Sequence, residues 1–124
     1  MKTRKGITDL NPEKALEMTR KGAVLVDVRN PHEIAKIAFD IPDILEIPLG
    51  NLEVRLDEIP VKRKVILACK RGNRSMWAAR MLMDHGHRRI FNLQHGMIGW
   101  EKEGFPVKKQ PSGSFISRLR QLFR

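Results

Sequence analysis

Two stretches of the 124-residue chain are apolar without a break, Ala23-Val24-Leu25-Val26 and Val65-Ile66-Leu67-Ala68. Runs of this length with β-branched members predict strands buried on both faces, the kind found in the middle of a parallel sheet. Ile44-Leu45-Glu46-Ile47, closed by Pro48, predicts a third strand, Ile90-Phe91-Asn92-Leu93 a fourth, and Ile7 to Leu10 a short edge strand. Helical signals fill the gaps. Asn11-Pro12-Glu13 and Asn30-Pro31-His32-Glu33 both place Asn at an N-cap and Pro in the first turn. The first predicts a helix with Ala15, Leu16 and Met18 on its apolar side, ended by Gly22. The second predicts a short helix with Ile34, Ile37 and Phe39 packing inward. Leu52, Leu56 and Ile59 mark a helix stopped by Pro60, and Met97 to Glu103 a last one around Trp100. Ser75 is placed to cap a helix running through Met76, Ala78, Ala79 and Leu82 to Gly86. Strands alternating with helices predict an α/β fold, a three-layer sandwich with a mostly parallel central sheet and helices on both faces.

The pattern divides the chain into a basic, frayed end over residues 1–6, a single domain over 7–108, and a linker with a final helix over 109–124. In that helix Phe115, Ile116, Leu119, Leu122 and Phe123 form one stripe, with Arg118, Arg120 and Arg124 off it and no acid. A basic amphipathic helix of this kind suits an anionic membrane surface, a protein partner, or docking on its own domain. Charge extends the theme. Lys and Arg number 24 against 14 Asp and Glu, for a net charge of +10. An anionic partner or a simply solvated basic face follows. No basic segment is interleaved with aromatics, so nucleic acid is not favoured. The basic start is followed by no apolar run of a signal peptide, and no segment reaches the length of a membrane span. With one cysteine no internal disulfide can form. The expected location is the cytoplasm, with peripheral membrane contact through the tail.

That cysteine lies where chemistry is concentrated. Cys69 ends the second buried strand, and Lys70, Arg71, Gly72, Asn73, Arg74 and Ser75 lead from it into a helix. The carboxyl ends of strands in open α/β sheets are where ligands bind. Gly72 permits a bend in which backbone N–H groups converge, the helix N-terminus adds partial positive charge, and Lys70, Arg71 and Arg74 add full charges. A thiol in such a field ionises more readily than a free one, and the same cradle holds an anion. The plain alternative is an inert cysteine closing a core strand. Asp27, ending the first buried strand, is either structural, paired with Arg29 or a backbone turn, or part of the site. The methionines after the loop read as core filler. His32, His85, His87 and His95 are scattered, and no cysteine pair or His-rich helix accompanies them, so no metal is expected. No phosphate loop or dinucleotide fingerprint is present, and no cofactor is expected.

The loop Cys69-Lys70-Arg71-Gly72-Asn73-Arg74-Ser75 resembles the C-x-x-G-x-R-S active-site loop of single-domain rhodaneses. Val24 to Arg29 with Glu33 resembles the family's "DVR…E" strand, and Ile47-Pro48-Leu49 its "IPL" segment. Gly96, Trp100 and Gly104-Phe105-Pro106-Val107 resemble its closing "GG…W…G-x-P-V". Two places differ: Lys36 to Asp43 stand where the family has G-H-I-P-G-A, and His95-Gly96 where it has two glycines. The resemblance implies a rhodanese fold and sulfurtransferase activity. Cys69 would accept a sulfane sulfur from thiosulfate or a persulfide donor, become a persulfide, and pass the sulfur to a thiophilic acceptor. That acceptor would be cyanide in vitro and a thiol or protein in the cell. Lys70, Arg71 and Arg74 would attract the anionic donor, with Arg74 alternatively pinning the loop. Backbone N–H groups of residues 70–74 would stabilise the terminal sulfur. Related phosphatase loops place an arginine one residue further from the cysteine, so the shorter cradle here suits sulfur better than a tetrahedral phosphate.

Overall fold

The computed structural model describes residues 2–110. Eight strands and four helices follow in the order β1 (Thr3–Arg4), β2 (Ile7–Leu10), α1 (Pro12–Arg20), β3 (Val24–Asp27), α2 (Pro31–Lys36), β4 (Ile37–Phe39), β5 (Ile44–Glu46), β6 (Val65–Ala68), α3 (Asn73–Asp84), β7 (Ile90–Leu93), α4 (Gly96–Lys102) and β8 (Val107–Lys109). Six strands form one sheet in the order β1-β2-β7-β6-β3-β5, parallel except for β1.

Strand alternation sorts the core into two layers. Val24, Val26, Val65 and Leu67 face α3 and the turns around Leu52 and Ile59. Leu25, Ile66, Ala68 and Leu93 face α1 and α4, where Ala15, Met18, Met97 and Trp100 close over them. This is the expected three-layer sandwich. The parity continues past the end of β6: Cys69 packs with Val65 and Leu67 in the α3 layer. The central strands are apolar throughout because both faces are covered, which is why they were so plain as runs.

Several expectations are corrected. Residues 3–4 are not frayed: β1 turns back on β2 with Thr3 opposite Thr8, so Ile7–Leu10 lies inside the edge and pairs with β7 on its other side. Asn30 does cap α2, in a reciprocal capping box with Glu33. That helix buries none of its residues, however, and ends at Lys36. Ile37 to Phe39 are a strand, paired antiparallel with β8, where a linker was expected from residue 109. Phe39 is buried and meets the Trp100 ring edge-on at 5.3 Å. Glu53–Glu58, between Leu52 and Ile59, form 3₁₀ turns broken at Arg55 rather than a regular helix. Ser75 is not the cap of its helix, because α3 starts earlier, from Gly72. The amphipathic stretch Phe115–Phe123 lies outside the described residues. Among the described residues no helix is long and apolar enough to cross a membrane, and no group of three or more His, Cys, Asp or Glu is placed to hold a metal.

Candidate active site

Cys69 leaves the end of β6 with its side chain buried against α3. The next three residues wrap around its sulfur. Gly72 adopts a left-handed backbone, φ 102°, and its N–H donates to Sγ at 3.0 Å. A side chain at that φ would be strained, so the glycine is what allows the loop to close. The opposite side of the loop is held by α4. Met97 N–H donates to the Cys69 carbonyl at 2.9 Å and Ile98 N–H to the Lys70 carbonyl at 3.1 Å. With its carbonyls engaged there, the loop turns N–H groups toward the sulfur. Burial pushes the thiol up. The backbone N–H groups of Ser75, Gly72 and Arg71 act against it as hydrogen-bond donors to the sulfur, and the balance holds Cys69 below the ordinary thiol range.

The cations of the loop divide into two sorts. Lys70 and Arg71 are exposed, as is Asn73 at the start of α3. Arg74 is committed: its guanidinium forks onto both Glu33 carboxylate oxygens, at 2.7 and 2.8 Å. This pair ties α3 to α2 across the mouth of the site. The fork, helped by the Asn30 N–H, overcomes partial burial and holds the Glu33 carboxyl at about 2. A carboxyl held below its unfolded value stabilises the fold above that value and loses the effect as pH falls. Arg74 is partly open to water, so about 1 kcal/mol is expected rather than the full size of the shift. Glu33→Gln should therefore lower stability near neutral pH, and the difference from the parent should vanish between about pH 4.5 and 2. Thermal melts of both proteins across that range check it.

Asp27 and Arg29 do not touch the sulfur. Asp27 points into the α1 and α4 layer, where its carboxylate takes Arg29 Nε at 3.0 Å and Nη2 at 2.8 Å. Arg29 also donates to the Ile37 and Glu33 carbonyls and lies under the Phe39 ring, its Cζ 5.4 Å from the centroid. The pair thus locks the end of β3 to the segment that carries Glu33. Both are almost fully buried, and each satisfies the other's charge. A cleft of about 230 Å³ opens beside Lys70, lined by Glu33, Lys36, Ile37, Met97 and Ile98.

Three residues escaped the sequence reading in whole or part. Ser75, in the first turn of α3, brings its Oγ 3.3 Å from Sγ. It donates to Asn92 Oδ1 at 2.5 Å, and Asn92 Nδ2 donates to Asp9 Oδ1 at 3.0 Å. Asn92 and Asp9 are direct neighbours in the register of β7 and β2. The signal was there in the alternation: Ile7 and Ile90 face the α3 core, and Asp9 and Asn92, two residues on, share that face. A polar residue at a core-facing strand position needs a partner.

The model of the Rhodanese-like domain family matches residues 11–103. Over 84 residues the chain is 42% identical to a sulfurtransferase from Allochromatium vinosum, covering 68% of this chain and 77% of that one. It is 30% identical over 103 residues to the thiosulfate sulfurtransferase GlpE of Actinobacillus pleuropneumoniae, covering 82% and 93% of the two chains. Among solved structures it resembles the polysulfide-sulfur transferase homodimer of Wolinella succinogenes, at TM-score 0.77 and 26% identity over 87% of this chain and 82% of that one.

Proposed function

Since the chain belongs to the rhodanese-like domain family, we propose that it is a sulfurtransferase carrying sulfur on Cys69. The thiolate attacks the outer sulfur of thiosulfate, the sulfur–sulfur bond of the donor breaks, and sulfite leaves with the electron pair. Cys69 is then a persulfide. A thiophilic acceptor, cyanide in the test tube or a thiol in the cell, attacks the terminal sulfur, and the Cys69 thiolate departs with the electron pair. A persulfide donor enters the same cycle, with its own thiolate as leaving group. The observation that carries the reading is the loop itself, which aims backbone N–H groups at a sulfur held below the ordinary thiol range. Such preorganised donors stabilise negative charge on sulfur without reorganising. Exposed Lys70 and Arg71 supply a field for an anionic donor. Arg74, occupied by Glu33, shapes the loop instead of meeting the donor. No general base is needed, because the nucleophile is the thiolate.

Intact-mass measurement tests this. The protein treated with thiosulfate should gain one sulfur, and cyanide should remove it. If neither thiosulfate nor a persulfide donor adds sulfur, the enzyme reading fails and the domain is better read as an interaction module using its basic surface.

A further inference from the structure

We propose that Asn92 and Asp9 are positioning residues for the sulfur chemistry: acting through Ser75, they decide whether a hydroxyl hydrogen or a lone pair faces Cys69. The inference rests on Cys69 being the sulfur-carrying nucleophile. Arg4 Nη2 holds the Asp9 carboxylate at 2.9 Å. The other Asp9 oxygen accepts from Asn92 Nδ2, and the Gly72 carbonyl lies 3.3 Å from the same nitrogen. Two acceptors fix which end of the Asn92 amide carries the nitrogen. Its Oδ1 must therefore face Ser75 Oγ, 2.5 Å away. Two oxygens that close need a hydrogen between them, and only the hydroxyl has one.

Ser75 has a single hydrogen and two claimants. While it is given to Asn92, the serine oxygen presents a lone pair to Sγ at 3.3 Å, an arrangement that accepts from a thiol S–H and repels a thiolate. To donate to a thiolate or persulfide, the hydroxyl must turn away and leave Asn92 Oδ1 buried without a donor, with the residue only 3% exposed. The network thus opposes the loop's backbone N–H groups. It keeps the resting sulfur protonated more than the loop alone would, and gives way when charge on sulfur is paid for by the reaction. The charged groups around the sulfur are the exposed Lys70 and Arg71 of the loop, Arg74 of α3, shared with Glu33, the Asp27–Arg29 pair at the end of β3, and the Asp9–Arg4 pair behind Asn92. None of these supplies the Ser75 hydrogen.

The test titrates the thiol by the far-ultraviolet absorbance of its thiolate, with Cys69→Ser as the blank. Because the chain has one cysteine, a single group is read. Asn92→Leu frees the Ser75 hydrogen for the sulfur and should raise the ionisation constant of the thiol roughly three- to tenfold, the scale of one hydrogen bond. Combined with Ser75→Ala, the same substitution should change nothing, since its route is gone. An unchanged midpoint in Asn92→Leu, or equal shifts in both backgrounds, overturns the proposal. If Asn92→Leu does not fold, Asp9→Asn takes its place: the amide is held less firmly and the shift should be smaller, about twofold, in the same direction, and no shift again overturns it. The titration involves no sulfur donor. Failure of sulfur uptake with a normal titration would remove the proposed activity alone, and normal uptake with no shift would remove this inference alone.

Discussion

Cys69→Ser should leave a folded protein that takes up no sulfur from thiosulfate. The substitution keeps the side chain small and keeps an acceptor for the Gly72 N–H, which now points at sulfur from 3.0 Å. Stability should therefore move by no more than about 1 kcal/mol. Activity has no such refuge. A hydroxyl in this loop is not ionised at neutral pH, and the loop's N–H groups cannot close a gap that large between alcohol and thiol. An oxygen nucleophile also cannot form the sulfur–sulfur bond that makes the carried species a persulfide. The expected loss is at least about a thousandfold, more than 4 kcal/mol of barrier, with no sulfur gained in the intact mass. The serine variant should still bind the donor anion through Lys70 and Arg71, which remain exposed. Turnover that survived the substitution would place the chemistry elsewhere and leave Cys69 as a packed core residue.

The readable parts of this fold are those whose physics is local. Val24–Val26 and Val65–Ala68 announce buried strands because every residue must be apolar when both faces are covered. The cysteine loop is readable because a glycine and three cations follow a thiol within five residues. What was missed depends on contacts far apart in the chain. Asn92 and Asp9 are single polar residues in strands, and their meaning appears only when β2 and β7 are laid side by side, Asp9 opposite Asn92. Ser75 has the residue type of an N-cap. The left-handed turn at Gly72 starts the helix before it, which moves the hydroxyl from the cap to the sulfur. Ile37 to Phe39 carry enough apolar character for a helix end. Their pairing with Val107 to Lys109, some seventy residues later, makes them a strand instead. For Arg74 the sequence leaves two roles open, attracting an anion or pinning the loop, and its partner Glu33 comes from another helix.

Gly96→Ala should damage the site as severely as any change outside the loop. Gly96 begins α4, the helix whose N–H groups hold the Cys69 and Lys70 carbonyls. An added Cβ would overlap the Cys69 carbonyl oxygen and lie 2.6 Å from the Lys70 carbonyl carbon and oxygen. These are backbone atoms, so no side chain can swing aside to relieve the overlap. Either α4 backs away, breaking the bonds from Met97 and Ile98, or the Lys70–Arg71 peptide rotates and takes the Arg71 N–H off the sulfur. The positive φ of 54° adds strain of its own, about 1 kcal/mol for an alanine. The total expected loss of stability is about 3 kcal/mol. Displacing the nucleophile by a fraction of an ångström to an ångström should slow sulfur transfer about a hundredfold. Gly104→Ala separates the two causes. Its φ is also positive, 74°, but a Cβ there meets nothing within 4 Å. It should cost about 1 kcal/mol in a thermal melt and leave the rate unchanged. Equal rates in the two alanine variants would mean that contact between α4 and the loop does not set the position of the sulfur.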